Sequence, residues 1–218
     1  SESRFPLEFG KNILVVLENE ENLKNLSESE FYTRNTKATS LSVLTREDLF
    51  DNNLESTDDT FKAILKDQEF EMHFKNKIST KDIESLVSDS SIGTIFYSVE
   101  EGMSKSKIKS LINISNKSNT PVLFSKSTYP YKTIGILINN DFGETSSNSV
   151  AFDLAASLSA SLTAVNVSQP KFLQSEESSK VSDSIEKLQD LALSHEIQLD
   201  LENKEGNEAK IFSEMSNK

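Results

Sequence analysis

KTIGILINNDFGETSSNSVAFDLAASLSASLTAVNV, residues 132–167, holds one complete β-loop-α-β unit, and the rest of the chain is placed by it. Ile134, Ile136, Leu137 and Ile138 form a run short enough for a strand and apolar on both faces, the pattern of a central parallel strand. Asn139-Asn140-Asp141 makes a turn. Ser146 is placed to cap a helix in which Val150, Ala151, Leu154, Ala155 and Leu158 fall on one face. Leu162, Ala164, Val165 and Val167 then begin a second strand. The unit predicts half of a doubly wound parallel sheet, in which ligands bind beyond the carboxyl ends of the strands, here near Asn139 and Val167.

The same unit occurs earlier. Lys11 to Glu18 predicts a strand, Leu23, Leu26 and Phe31 mark a helix, and Leu41 to Leu44 a second strand. Lys11 to Lys132 and Leu41 to Leu162 are both shifts of 121, so two strands keep one spacing and an internal repeat is expected. Arg46 to Thr60 is polar and acidic and predicts a loop. A short helix follows at Phe61, Ile64 and Leu65, then a strand at Phe70, Met72 and Phe74. Ser79 or Thr80 caps a helix with Ile83, Leu86 and Val87 inside. A fourth strand at Ile92 to Val99, a helix at Ile108, Leu111 and Ile112, and a fifth strand at Pro121 to Phe124 complete the series.

Beyond the second unit a polar loop spans 168–179. Val181, Ile185, Leu188, Leu191 and Ala192 mark a helix, Ile197, Leu199 and Leu201 alternate as a strand, and Ala209, Ile211 and Phe212 suit another helix. The expected organisation is a domain at 11–126, a linker at 127–131 around Pro130, and a second domain at 132–218 without candidates for its fourth and fifth strands. Its first strand then has an open apolar edge, which invites pairing with another chain. Either the chain is part of a longer protein or a partner covers that edge.

Lys132, the run from Ile134 to Ile138, the Ala155-Ala156 pair and Leu162-Thr163, together with Thr120-Pro121-Val122-Leu123 closing the first series, resemble the universal stress protein family. The resemblance implies an α/β fold of two tandem flavodoxin-like or Rossmann-like doubly wound sheets, strand order 3-2-1-4-5, the second incomplete. Ser159 departs from it, standing where the family usually closes this helix with glycine. A left-handed turn there costs roughly 1 kcal/mol without glycine, so a differently built connection is expected. LEFGKNILVVLENEENLKNL, residues 7–26, is similar to the start of the cytoplasmic tails of cation/proton antiporters.

A formal charge of −12 argues against nucleic acid, whose phosphates are held by clustered Lys and Arg, and against docking on an anionic bilayer. No apolar run approaches the roughly 20 residues of a membrane helix. With 0 cysteines there is no disulfide, thiolate nucleophile or thiolate metal site. His73 and His195 lack a second ligand at metal spacing, Asp153, Glu176 and Glu177 fit solvated surface, and Tyr129 and Tyr131 fit linker packing. No nucleophile elbow or Walker loop occurs.

Nucleotide-binding members of the family carry, after the fourth strand, Gly, two residues, Gly, nine residues, then Gly with Ser or Thr. Here only Gly102 is present, and counting back from Pro121 puts Ile108-Lys109 at the Gly-Ser position. Glu100 and Glu101 would also face incoming phosphates. Glu18 stands where the family's first strand presents a carboxylate to adenine or ribose, and Asn139 stands there in the repeat; for Glu18 a solvated turn acid is the preferred expectation. Gly143 and Ser146 are candidates for a second phosphate pocket. The leading expectation is a non-catalytic cytoplasmic regulatory module, free or attached to an antiporter, without bound cofactor or metal and acting through protein association or dimerisation at sheet edges. The alternative is an ATP-binding stress protein using the second domain or a shared interface; a flavin protein has least support, since no Ser/Thr-rich phosphate cradle is present.

Overall fold

A computed structural model of the chain describes residues 12–19, 23–36, 38–49, 54–89, 91–99, 103–126, 129–138, 146–168, 178–207, 209–211 and 214. The chain divides into two compact units, one of residues 1–100 with 110–129, the other of residues 130–218 with 101–109.

The first unit is built on five parallel strands, β1 (Asn12–Leu17), β2 (Ser40–Arg46), β3 (Glu69–Lys75), β4 (Thr94–Ser98) and β5 (Val122–Ser125), in the order β3-β2-β1-β4-β5. The apolar runs dictate which strands lie inside. Ile13 to Leu17 and Ile95 to Phe96 are at most 1% exposed, because β1 and β4 have neighbours on both sides and helices above and below. The edge strand β3 alternates and is only half covered.

Four helices connect these strands: α1 (Leu23–Arg34), α2 (Leu54–Leu65), α3 (Thr80–Asp89) and α4 (Lys105–Ser118). Right-handed crossovers put α1 and α2 on one face of the sheet and α3 and α4 on the other. Agreeing with this, α1 packs against α2, and Lys117 of α4 pairs with Glu84 of α3. The polar stretch after β2 is shorter as a loop than its composition implies. It forms a 3-10 turn at Glu47–Leu49 and then the first turns of α2, whose Phe61 and Leu65 are fully buried. Ser79 caps α3 reciprocally with Asp82: the Asp82 amide donates to Ser79 Oγ at 3.3 Å, while the Ser79 hydroxyl and amide donate to the Asp82 carboxylate at 2.6 and 2.8 Å. Those bonds, the hydroxyl's first, hold the Asp82 carboxyl below its ordinary range.

The second unit repeats the beginning of the first. Its three parallel strands, β6 (Thr133–Ile138), β7 (Ser161–Ser168) and β8 (Leu199–Glu205), lie in the order β6-β7-β8, with α5 (Ser146–Leu158) and α6 (Ser178–Ser194) as crossovers. Ile13 pairs with Leu41 and Ile134 with Leu162, a separation of 28 in each unit, so the repeat read from the sequence is kept in the register. Among the described residues β6 has β7 on one side and no strand on the other. The expectation of a doubly buried strand therefore fails for β6: Ile136 and Ile138 are buried, Ile134 and Leu137 half-buried, and Thr133 and Gly135 exposed.

The connection after α5 is also corrected. Ser159 takes the left-handed conformation, φ 53°, without glycine, and the Ala160 amide bonds back to the Ala155 carbonyl at 2.9 Å. The same closure, with a left-handed residue followed by an amide reaching back five residues, occurs at Asn119 after α4 and Glu196 after α6. The left-handed turn is made here without glycine.

Candidate functional site

In an order of 3-2-1-4-5 the chain reverses its direction of travel across the sheet between β1 and β4. In sheets of this order the carboxyl ends of those two strands are where a ligand crevice is expected. Side chains alternate between the two faces, and the registers assign them. Tyr97 of β4 lies opposite Val16 and so on the face of Glu18, which follows β1 directly. The Tyr97 hydroxyl donates to the Glu18 carboxylate at 2.6 Å, and Tyr97 is 6% exposed. The carboxylate at the tip of the first strand is thus bridged to the neighbouring strand.

The other face carries a second polar group. Ser98 pairs with Ser125 in the register, and Ser125, 1% exposed, donates its hydroxyl to the carboxylate of Glu28. Glu28 reaches down from α1 and is itself 1% exposed. Burying a carboxylate is costly unless hydrogen bonds compensate it, and the serine supplies one. On the same helix Asn25 is 0% exposed, and both atoms of its amide have no partner among the described residues. Thr45, at the carboxyl end of β2 opposite Leu17, is likewise 0% exposed with its hydroxyl unpartnered. Buried groups of this kind are the ones a water or a small polar ligand satisfies.

The inner face of α1 is therefore polar. Asn25, Glu28, Ser29 and Tyr32 follow at helical spacing and are all buried, with Tyr32 Oη 3.3 Å from Thr94 Oγ1 and its ring edge-on to Phe96. Apolar periodicity pointed instead to Leu23, Leu26 and Phe31, of which only Leu26 is fully buried. Glu28, Tyr97, Ser125, Asn25 and Thr45 were missed. The polar spacing 25, 28, 29, 32 was the signal that could have found the helix.

Of the residues expected to bind nucleotide, Glu18 stands at the crevice, half-buried and engaged by Tyr97. Ser146 opens α5, with its side chain outside the described residues, as are Gly102, Asn139 and Gly143 entirely. The position at which the family's pattern places glycine is Ile108, which lies inside α4 at 1% exposure, and Lys109 beside it is exposed. Among the described residues no cluster of three His, Cys, Asp or Glu can hold a metal ion, and no helix is long and apolar enough to cross a membrane. Tyr129 packs on Phe31 with ring centroids 5.3 Å apart.

A five-stranded parallel sheet of this order, with polar side chains gathered at the point where the strand order reverses, defines a doubly wound α/β protein. Its particular variety is the fold of the universal stress proteins. The chain is similar to the crystal structure of a putative universal stress protein from Pseudomonas aeruginosa UCBPP-PA14, with TM-score 0.55 and 16% identity over 91% of this chain and 76% of that one. It is equally similar to the cytoplasmic domain of a prokaryotic cation chloride cotransporter, with TM-score 0.56 and 15% identity over 91% of this chain and 80% of that one. A functionally unknown protein from Pseudomonas aeruginosa PAO1 matches with TM-score 0.53 and 17% identity over 92% and 75%. At these identities the likeness is one of fold. No family model matches the sequence, nor does any curated protein.

Proposed function

We propose that the chain is a non-catalytic regulatory module of the universal stress protein type, made of tandem domains at 11–126 and 132–218, that works in the cytoplasm through protein association and binds no nucleotide at its first crevice. One observation carries this reading: the carboxylate at the end of β1 is hydrogen-bonded to Tyr97 of β4 across the crevice where an adenosine would lie. A nucleotide would have to displace that bond. Ile108 supports the same reading, since a buried isoleucine within a helix offers no backbone cradle to a phosphate. The fold shared with a transporter's cytoplasmic domain supports attachment to a membrane protein, of which this chain would be the part in the cytoplasm. A cation/proton antiporter is the proposed carrier.

The test is thermal unfolding with and without millimolar ATP and magnesium. A ligand at a hundredfold excess over its dissociation constant stabilises by about 2.7 kcal/mol. The expected Tm is unchanged. A rise corresponding to that stabilisation would overturn the reading and restore an adenine-nucleotide site.

A further inference from the structure

β3, Glu69-Phe70-Glu71-Met72-His73-Phe74-Lys75, is the outer strand of the first sheet, paired among the described residues with β2 on one side only. Its faces are distinct. Phe70, Met72 and Phe74 lie toward α2, where Phe70 meets the Phe61 ring at 6.3 Å, and Glu69, Glu71, His73 and Lys75 lie on the other face, where Lys75 pairs with Asp82 at 3.4 Å. The three apolar residues are half-buried, unlike the sealed apolar residues of β1 and β4. Beside them runs an open groove of about 880 Å³, lined by Phe70 and Met72 and by Asp58, Lys62 and Lys66 at the α2 side.

Charged residues on an edge strand usually discourage pairing by setting like charges against each other. Here the signs do the opposite. When the strand is laid antiparallel against a second copy about a two-fold axis at Met72, Glu69 faces Lys75 of the other copy, Phe70 faces Phe74, Glu71 faces His73, and Met72 faces itself. The Glu69–Lys75 pairs are complementary in charge, the Phe70–Phe74 and Met72 pairs in apolarity, the Glu71 carboxylate faces an imidazole able to donate a hydrogen bond, and all 7 residues of the strand are used. Moving the axis to Glu71 sets two carboxylates against each other. Moving it to His73 opposes two imidazoles and leaves Glu69 and Phe70 beyond the partner strand. A slip of a single residue would turn the apolar face over and is excluded by the pleat.

We propose that β3 is a homodimerisation edge, joining two copies of this chain antiparallel through Glu69 to Lys75 into one continuous sheet, with the aromatic pairs closing over the groove at α2. This names a partner for the association proposed above and rests on that reading for its biological sense. The geometry of the strand stands independently of it.

The test is sedimentation equilibrium of the full chain over a concentration series up to about millimolar, the range in which edge pairing of modest affinity is visible. The wild-type chain is expected to show a monomer–dimer equilibrium. Glu69→Lys and Lys75→Glu each set like charges opposite one another at two places in the symmetric dimer and are expected to weaken it roughly tenfold or more. The double variant Glu69→Lys with Lys75→Glu restores opposite charges at both places and is expected to dimerise again. Circular dichroism of each variant checks that it is folded. A wild-type chain that stays monomeric throughout overturns the inference. So does a dimer indifferent to both single variants, which would mean pairing elsewhere and leave the association reading intact; the ATP melting experiment judges that reading separately.

Discussion

β1 and β6 carry nearly the same apolar run and are buried to different degrees. Ile13, Val15 and Leu17 correspond to Ile134, Ile136 and Ile138 at a constant shift of 121, and both strands pair with their next strand in the same register. β1 is sealed because β4 pairs with it on the second side, whereas β6 has β7 alone among the described residues, and Ile134 and Leu137 remain half-buried. Hydrophobic pattern thus predicts what a strand can bury. The neighbours it finds decide what it does bury.

The largest expected effect separates these two strands directly. Ile13→Ala removes a side chain with 0% exposure from the centre of the first sheet and should cost about 3–4 kcal/mol in urea unfolding. Ile134→Ala, the same change at the matching position, should cost about 1–2 kcal/mol because the side chain is half-buried at the start. Equal losses would break the comparison and would mean that something covers the far edge of β6 in solution.

The helices after these strands differ in a complementary way. α5 buries Ala151, Phe152, Leu154 and Ala155, an ordinary apolar face, while α1 buries Asn25, Glu28, Ser29, Tyr32 and Thr33. A polar helix face gains little from leaving water, so the first unit relies on each buried hydrogen bond being made. Ser125→Ala removes the donor that Ser125 gives to Glu28 and should destabilise by about 1–2 kcal/mol, the cost of leaving a buried polar group without that hydrogen bond. Asn25→Leu should act in the opposite direction, raising stability by about 1 kcal/mol, because the amide it replaces has no partner among the described residues. Loss of stability in Asn25→Leu would instead show that water or a ligand satisfies that amide in solution.

How far the chain could be read follows from the same difference. The inner strand β1 was legible because it carries an uninterrupted run of Ile, Leu and Val, and the register of β6 on β7 followed from the repeat. The start of α2 was not legible, since Leu54 to Thr60 carries one apolar residue and the buried Phe61 and Leu65 come only in its later turns. The polar site was hidden for a deeper reason. Periodicity finds faces that avoid water, and Glu28 and Ser125 are buried as partners of each other from different elements, which a sequence does not pair. Glu18 is visible in the sequence as an acid that ends a strand, but its partner Tyr97 lies 79 residues away and nothing in the sequence joins the two.

The smallest effect concerns the turn that closes α5 in the second unit. Ser159 holds φ 53° with a side chain that disfavours it, and the Ala160 amide still closes on the Ala155 carbonyl. Ser159→Gly removes the steric penalty of the left-handed conformation but adds freedom to the unfolded chain, two terms of opposite sign and similar size. The first is the larger, so the substitution should raise stability by about 0.5 kcal/mol in urea unfolding, and Glu196→Gly, at the matching closure of α6, should do the same. Ser159→Ala keeps the Cβ and should bring no gain. A gain from alanine equal to that from glycine would mean that the turn is not left-handed in solution, and the two units would then differ in how they end their helices as well as in how they flank their first strands.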